Sequence, residues 1–489
     1  MNIVIDLQPI IDFFSLPSDV MMLKLFLTVG WIPIGITFIW GAAIVWLYYI
    51  QTKWFLTHKQ ILLAIDIPRG NMQSPKAVEN MFAYFGGMHS TGNYHETWWL
   101  GIFQLSISIE IVSIDGYIQY LIRTPEKFKN IVETGVYSQY PDAEITEVDD
   151  YTTHCPSLFP DEQYDIWGGE FILTKNNALP IRTYINFEST FGKPEVQYKD
   201  TMASLMDLLS SLKKGEQIWY QIILIPLSAD YWIESDLSDK VISKIIGEKV
   251  KSEKNIIDKA GDSLINLLGD FSEFVYKLWG DIESKKEEEK EEPFKMMNLK
   301  PKQKKQIEAI QEKVGKLCFK VKIRFMYLAK KEIMNKLKAA NGFVGFMKQF
   351  QDSDLNSFKP DVGAKGTATK INYPIFYNYR LNARKRKIMG NYKRRDAVGG
   401  RSPMILNIEE LATIWHFPIE TVTKAPLIQK ATSRKVEPPS GLPFSDETSA
   451  NDDIFKNKNN NSDSIFFEKT KKAETISSKD TLPENLPIV

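Results

Sequence analysis

Cysteine is almost absent from this 489-residue chain, which holds only Cys155 and Cys318. That excludes a disulfide framework or a four-ligand zinc site, both of which need more thiols. The five histidines (His58, His89, His95, His154 and His416) fall in no HExxH or comparable metal spacing. Net charge is missing too, because 61 Lys plus Arg balance 61 Asp plus Glu. A zero balance argues against a dedicated nucleic-acid coat protein but leaves room for local patches. Gly-Lys occurs only at Gly192-Lys193 and Gly315-Lys316. Pro194 and Leu317 follow them, so neither supplies the magnesium-binding hydroxyl of a phosphate loop. Gly363 to Lys370 reads as a flexible loop. The Gly-x-Ser-x-Gly elbow is absent. His154 and Cys155 are neighbours, but adjacent side chains usually point apart, which argues against a nucleophile pair. The expectation is a non-enzymatic protein with no catalytic residue, metal or cofactor.

What is present begins with apolar residues, at 43% of the chain. Leu25 to Thr52 contains 28 residues without a charge, between Lys24 and Lys53. A membrane span needs roughly 20. Phe26 and Trp31 mark one end and Trp46, Tyr48, Tyr49 and Trp54 the other, as interfacial aromatics do. A signal peptide would start basic and have a shorter apolar run. This start carries Asp6, Asp12 and Asp19. The reading is one transmembrane helix over 25–52 after a short segment 1–24. Lys53, Lys59 and Arg69 follow the span and only Lys24 precedes it, which predicts the N-terminus outside and the body in the cytoplasm.

After the span, local signals are dense. Ile61–Ile67 predicts a strand. Ser74-Pro75 predicts a helix start, with Val78, Met81, Phe82 and Phe85 on one face. Leu105, Ile107, Ile109 and Ile111 alternate with polar residues and predict a half-buried strand. Asp115-Gly116 predicts a type I′ hairpin turn, and Tyr117–Ile122 the returning strand. Thr124-Pro125 opens a second helix, and Ala143–Val148 closes the unit as a strand. Strand, helix, strand, strand, helix, strand is the split βαβ, ferredoxin-like order, expected over 60–150.

A second α+β domain is expected over 151–350, interrupted by a charged linker at 283–305. Its predicted strands are Tyr164–Leu173, Pro180–Phe187, a wholly buried Gln217–Ile225 and an amphipathic one at Phe319–Phe325. Its predicted helices are Met202–Leu212, Ile256–Trp279 and Lys331–Phe350, the last with Ile333, Leu337, Ala340, Val344 and Met347 inward. Residues 351–443 hold a basic segment and a strand–helix element. There Asn407 caps a helix with Glu410 three residues on. The polar stretch 444–489 predicts a disordered tail.

Two patches are candidate sites. His89–Trp99 is an aromatic loop whose Tyr94, Trp98 and Trp99 are candidates for partner docking. The plainer reading is packing against the membrane surface or a neighbouring domain. Arg380–Arg401 holds nine basic residues with only Asp396 acidic. Arg380, Arg384, Lys385, Arg386, Lys387, Lys393, Arg394 and Arg395 are candidate contacts for anionic lipid or nucleic-acid phosphate. The plainer reading is a solvated helix-and-loop face.

Several segments also carry a resemblance: Ile65-Asp66-Ile67-Pro68, Ser74–Phe82, Ser108–Ser113, Tyr137–Ile145, Glu409–Pro418 and Glu437–Pro443. Together with the span they resemble the membrane-proximal, pre-motor region of type IV secretion (conjugation) ATPases of uncultivated, candidate-phyla bacteria, an uncharacterised domain family. The resemblance covers about 25–443. Where that family enters its ATPase core, this chain enters a polar tail, so no catalytic residue carries over. It implies a non-enzymatic membrane scaffold that docks a separate motor ATPase or other secretion subunits, with self-association as a further partner reading. The alternative is a membrane-tethered binder of nucleic acid or anionic lipid.

Overall fold

The computed structural model describes residues 17–419 and 434–435, apart from 29, 69–70, 91, 188–199, 229, 247–298, 364 and 372–373. The expected helix Ile256–Trp279, most of the charged stretch 283–305 and the tail 444–489 lie outside these residues.

The apolar run lies on two successive helical stretches, and the Gly30 N–H donates to the Phe26 carbonyl at 2.9 Å with the four-residue spacing of a helix. Helix α1 (Ser18–Thr28) stops before Gly30, and α2 (Trp31–Leu56) continues from it. Pro33 stands in the first turn of α2, where an N–H has no intrahelical acceptor to lose. At 1.5 Å per residue the 26 residues of α2 run about 39 Å. Ile36, Phe38, Ile39 and Trp40 are exposed around it. A helix apolar on all sides suits lipid rather than water. This is the one described helix long and apolar enough to cross a membrane.

The first half of the body follows its local signals. Strand β1 (Gln60–Asp66) leads to α3 (Pro75–Phe85), which has proline in its first turn. Strands β2 (Ile107–Ile114) and β3 (Tyr117–Pro125) are joined through Asp115 and Gly116, both at positive φ as a type I′ turn requires. Helix α4 (Lys129–Tyr137) and β4 (Glu144–Glu147) complete it. The sheet order is β4-β1-β3-β2, all antiparallel.

The second half repeats the plan. Strand β5 (Tyr164–Leu173), α5 (Ala203–Ser210) and β6 (Glu216–Pro226) come first. Helices α6 (Tyr231–Ser235), α7 (Leu237–Ile246) and α8 (Pro301–Val314) stand in the β6-to-β7 connection. Then come β7 (Cys318–Lys330), α9 (Lys336–Lys348) and β8 (Phe358–Pro360). Their order is β6-β7-β5-β8. Strands β2 and β6 pair over Ile107–Ile114, so one sheet crosses both stretches that the sequence suggested as separate units. Read outward from this seam, the two halves have the same strand order.

The chain then adds α10 (Tyr377–Arg394), β9 (Met404–Asn407) and α11 (Ile408–Ile414). Strand β9 pairs antiparallel with the start of β7, and β10 (Arg434–Lys435) pairs with β4. One face of the sheet carries the main core, under α3, α4, α5, α9 and α11. The other is covered by Ile388, Met389 and Tyr392 of α10, with Phe159 and Tyr151 beside them. Alternation alone therefore misleads at β2 and β7. Ser108, Glu110, Lys322 and Arg324 occupy the polar positions of strands read as half-buried or amphipathic, yet all four are buried.

Other expectations change for identifiable reasons. Residues 180–187 form a loop ending in a 3₁₀ turn instead of a strand. Their N–H groups at Ile181 and Tyr184 donate to the side chains of Glu410 and Thr413, which replaces a strand ladder. Helix α9 starts at Lys336 because the Asn335 side chain accepts from the Lys338 N–H. That start turns Leu337 outward and Phe343, Phe346 and Met347 inward. The supposed loop near 363–370 is pinned along β5 in its described part, where Thr369 N–H donates to Gly168 at 2.8 Å.

Candidate functional site

Two constellations stand out: a collar where α2 meets the body, and a buried polar row beneath α10.

The collar is built by the loop that leads into β2. Glu96–Leu100 makes one π-helical turn, and Glu96 Oε2 accepts from the Asn93 N–H at 2.8 Å. Trp46 Nε1 of α2 donates to the Trp98 carbonyl at 3.1 Å. The Trp46 and Trp99 rings meet edge-on with centroids 6.4 Å apart. Phe103 packs edge-on against Trp54 at 5.3 Å. Gly101 is left-handed, with φ 72°, and a Cβ there would lie 2.5 Å from the Ile50 carbonyl oxygen. Only glycine permits that approach. Lys127 Nζ lies 5.4 Å from the Trp54 ring centre and 4.7 Å from that of Phe128. Burial lowers its pKa from the ordinary lysine value. Of the three docking candidates, Trp98 and Trp99 thus lie beside α2, 37% and 66% exposed, while Tyr94 is 87% exposed.

The basic segment divides. Lys385 is buried and ion-paired with Asp165. Arg395 is buried against Glu110 and Asp150. Lys393 donates to the Cys155 carbonyl and to Ser157. Arg384 donates to the Ala368 and Lys370 carbonyls. Arg380, Arg386, Lys387 and Arg394 are exposed. Of these, Arg380, Lys387 and Arg394 recur every seven residues, so they form one stripe along α10.

Beneath α10, the register aligns Glu110 of β2, Gln221 of β6, Arg324 of β7 and Glu170 of β5 in one row. Opposed side chains in such a row stand within contact distance. Glu110 accepts from Ser108, Gln221, Tyr151 and twice from Arg395, at 2.7 to 3.2 Å. Arg324 Nε donates to Glu170 at 3.0 Å, and its Nη atoms reach the Asn391 and Gly399 carbonyls at 3.0 Å. Lys322 donates to the Val398 and Gly399 carbonyls. Burial pushes the Glu110 carboxyl up, but Arg395 with Tyr151 and Ser108 outweighs that and holds it below the usual carboxylate range. Burial pushes Lys322 down to about 8 and the Cys155 thiol up to about 11. A thiol so raised is a poor nucleophile at neutral pH.

Sequence reasoning missed this row. The available signal was complementarity, since a basic run at 380–401 needs acidic partners and Glu110, Asp150, Asp165 and Glu170 supply them. A second set was missed at α11. Lys313 and Glu410 form a fully buried pair at 2.9 Å. His416 Nε2 meets Asp200 at 3.0 Å, and its Nδ1 donates to the Ala412 carbonyl.

Residues 95–426, well over half of the chain, match a family described as Domain of unknown function (DUF8128). No curated protein matches. The matched stretch starts after β1, although β1 lies between β3 and β4 in the sheet.

Proposed function

The chain belongs to the DUF8128 family, and on that premise we propose that it is a non-enzymatic, membrane-anchored scaffold. Its setting is a conjugation-like type IV secretion or DNA-transfer apparatus of bacteria, where it docks a separate motor ATPase. The observation that carries the anchoring is the Gly101–Ile50 contact with the Trp46–Trp98 hydrogen bond. A tether would leave the body free, whereas this contact holds it against α2. We read each half of the sheet as a split βαβ unit of the ferredoxin-like type, joined at the β2–β6 seam. The secretion setting rests on the resemblance of Ser74–Phe82, Tyr137–Ile145 and Glu409–Pro418 to the pre-motor region. The body faces the cytoplasm, on the argument that Lys53 and Lys59 follow the span and Lys24 precedes it.

Co-purification in mild detergent tests the scaffold. An ATPase recovered with the chain is the expected result, and ATP hydrolysis by the purified chain alone defeats the reading. A C-terminal reporter active only outside the cytoplasm tests the orientation, and activity there reverses it.

The Arg380, Lys387 and Arg394 stripe favours a second reading, a membrane-tethered binder of nucleic acid or anionic lipid. Charge reversal at Arg386, Lys387 and Arg394 then weakens salt-sensitive retention on DNA or on anionic vesicles. Unchanged retention on both removes this reading.

A further inference from the structure

We propose that the Glu96–Leu100 turn is a second membrane contact, placing Trp99 and Leu100 at the headgroup–hydrocarbon boundary of the leaflet where α2 joins the body. This deepens the anchoring reading and rests on it. The argument is one of depth. The uncharged run from Leu25 to Thr52 is 28 residues, about 42 Å as helix, which matches a whole bilayer of about 40–45 Å with its headgroups. Trp46 precedes Lys53 by seven residues, about 10 Å of helix. Each headgroup layer takes up roughly 5–7 Å of the bilayer. Trp46 therefore lies close to the boundary where tryptophan rings concentrate. The turn has no choice of depth, because Trp98 accepts the Trp46 hydrogen bond and Gly101 touches the Ile50 carbonyl.

Exposure points the same way. Trp99 and Leu100 are 66% and 51% exposed, a cost in water that burial in lipid removes. Lys53 follows Trp46 toward the water side of α2, and Lys59, which pairs with Glu126 at 3.2 Å, comes after it. Lys127 rests on Trp54 and Phe128, so its charge is held near that level. An amphipathic ring with lysines above it matches the lipid interface better than a protein groove.

The test uses the full chain in phosphatidylcholine–phosphatidylglycerol vesicles whose acyl chains are brominated either near the headgroup or near the bilayer centre. The contribution of one tryptophan is taken as the difference between wild type and Trp99→Phe or Trp40→Phe. The Trp99 component should lose most of its intensity with shallow bromine and little with deep bromine. Trp40, close to the middle of the uncharged run, should show the reverse. A Trp99 component untouched by either lipid, with Trp40 quenched, overturns this inference alone. An unquenched Trp40 overturns the anchoring reading itself. Gly101→Ala supplies a second variant: its Cβ forces the turn off α2, so Trp99 quenching should fall while Trp40 quenching stays. Retained Trp99 quenching in that variant would mean that α2 does not set the depth.

Discussion

Both faces of the sheet bury apolar side chains, but the face under α10 also carries a row of charged groups. On the face under α9, aromatic rings interlock. Phe343 stacks on Phe325 with centroids 4.0 Å apart and meets Phe171 and Tyr220 edge-on, each at 5.1 Å. On the face under α10, Glu110, Glu170, Asp150, Arg324, Arg395 and Lys322 neutralise one another. Apolar packing is roughly additive in area, so its losses are graded. A buried ion pair adds little net stability when complete but is costly when half removed. The apolar face thus supplies stability. The polar face requires α10 and the 395–401 loop to sit in one place, a role in specificity that substitution can test.

The largest expected effect sharpens this contrast. Arg395→Met leaves the buried Glu110 and the half-buried Asp150 without their cation and should cost about 3–5 kcal/mol in denaturant unfolding of the full chain in detergent. Adding Glu110→Gln should recover part of that loss, so the double variant unfolds with less destabilisation than the sum of the singles. Phe343→Ala should cost about the same, roughly 3–5 kcal/mol, through a cavity against Phe325 and Tyr220. There no partner substitution should rescue it. Strict additivity of the Arg395 and Glu110 variants would erase the distinction between the faces.

Titration gives a smaller effect with a defined sign. Lys322 has its pKa lowered to about 8, against 10.5 when free. Between those values the unfolded chain binds the extra proton, so stability from this group rises with pH. The gain across the window should be on the order of 2–3 kcal/mol and should be missing in Lys322→Met. Glu110 acts in the same direction, in the acid range. Its carboxyl is held below 4.5, so the stability it contributes is present above that value and is lost as pH falls through the folded pKa. Glu110→Gln should flatten the acid limb of the stability curve. The smallest effect belongs to a buried hairpin turn: Gly116→Ala forces a side chain to φ 89°, with its Cβ 3.1 Å from the Leu212 carbonyl oxygen, and should cost about 1–2 kcal/mol, read as a shift in the unfolding midpoint.

Much of the fold was legible because its signals are short. Ser74-Pro75, Asp115-Gly116 and the Asn407–Glu410 capping box each specify a start or a reversal within four residues, and all three stand where expected. The candidate site was less legible. Tyr94, Trp98 and Trp99 could be singled out as an aromatic loop, but nothing local placed Trp98 and Trp99 beside Trp46, about fifty residues earlier. The basic segment was read as a charged surface because charge usually faces water. Lys385 and Arg395 instead face inward, since Asp165 and Glu110 lie opposite them.

The amino-acid sequence by itself determined the elements of this protein: the uncharged run, the turns, the caps and the alternation along each strand. These depend on backbone sterics and on hydrogen bonds between near neighbours. Only the tertiary structure decided which polar side chains are inside. Glu110 and Arg395 are 285 residues apart. Whether a strand's second face meets water or α10 is settled by where that distant helix packs.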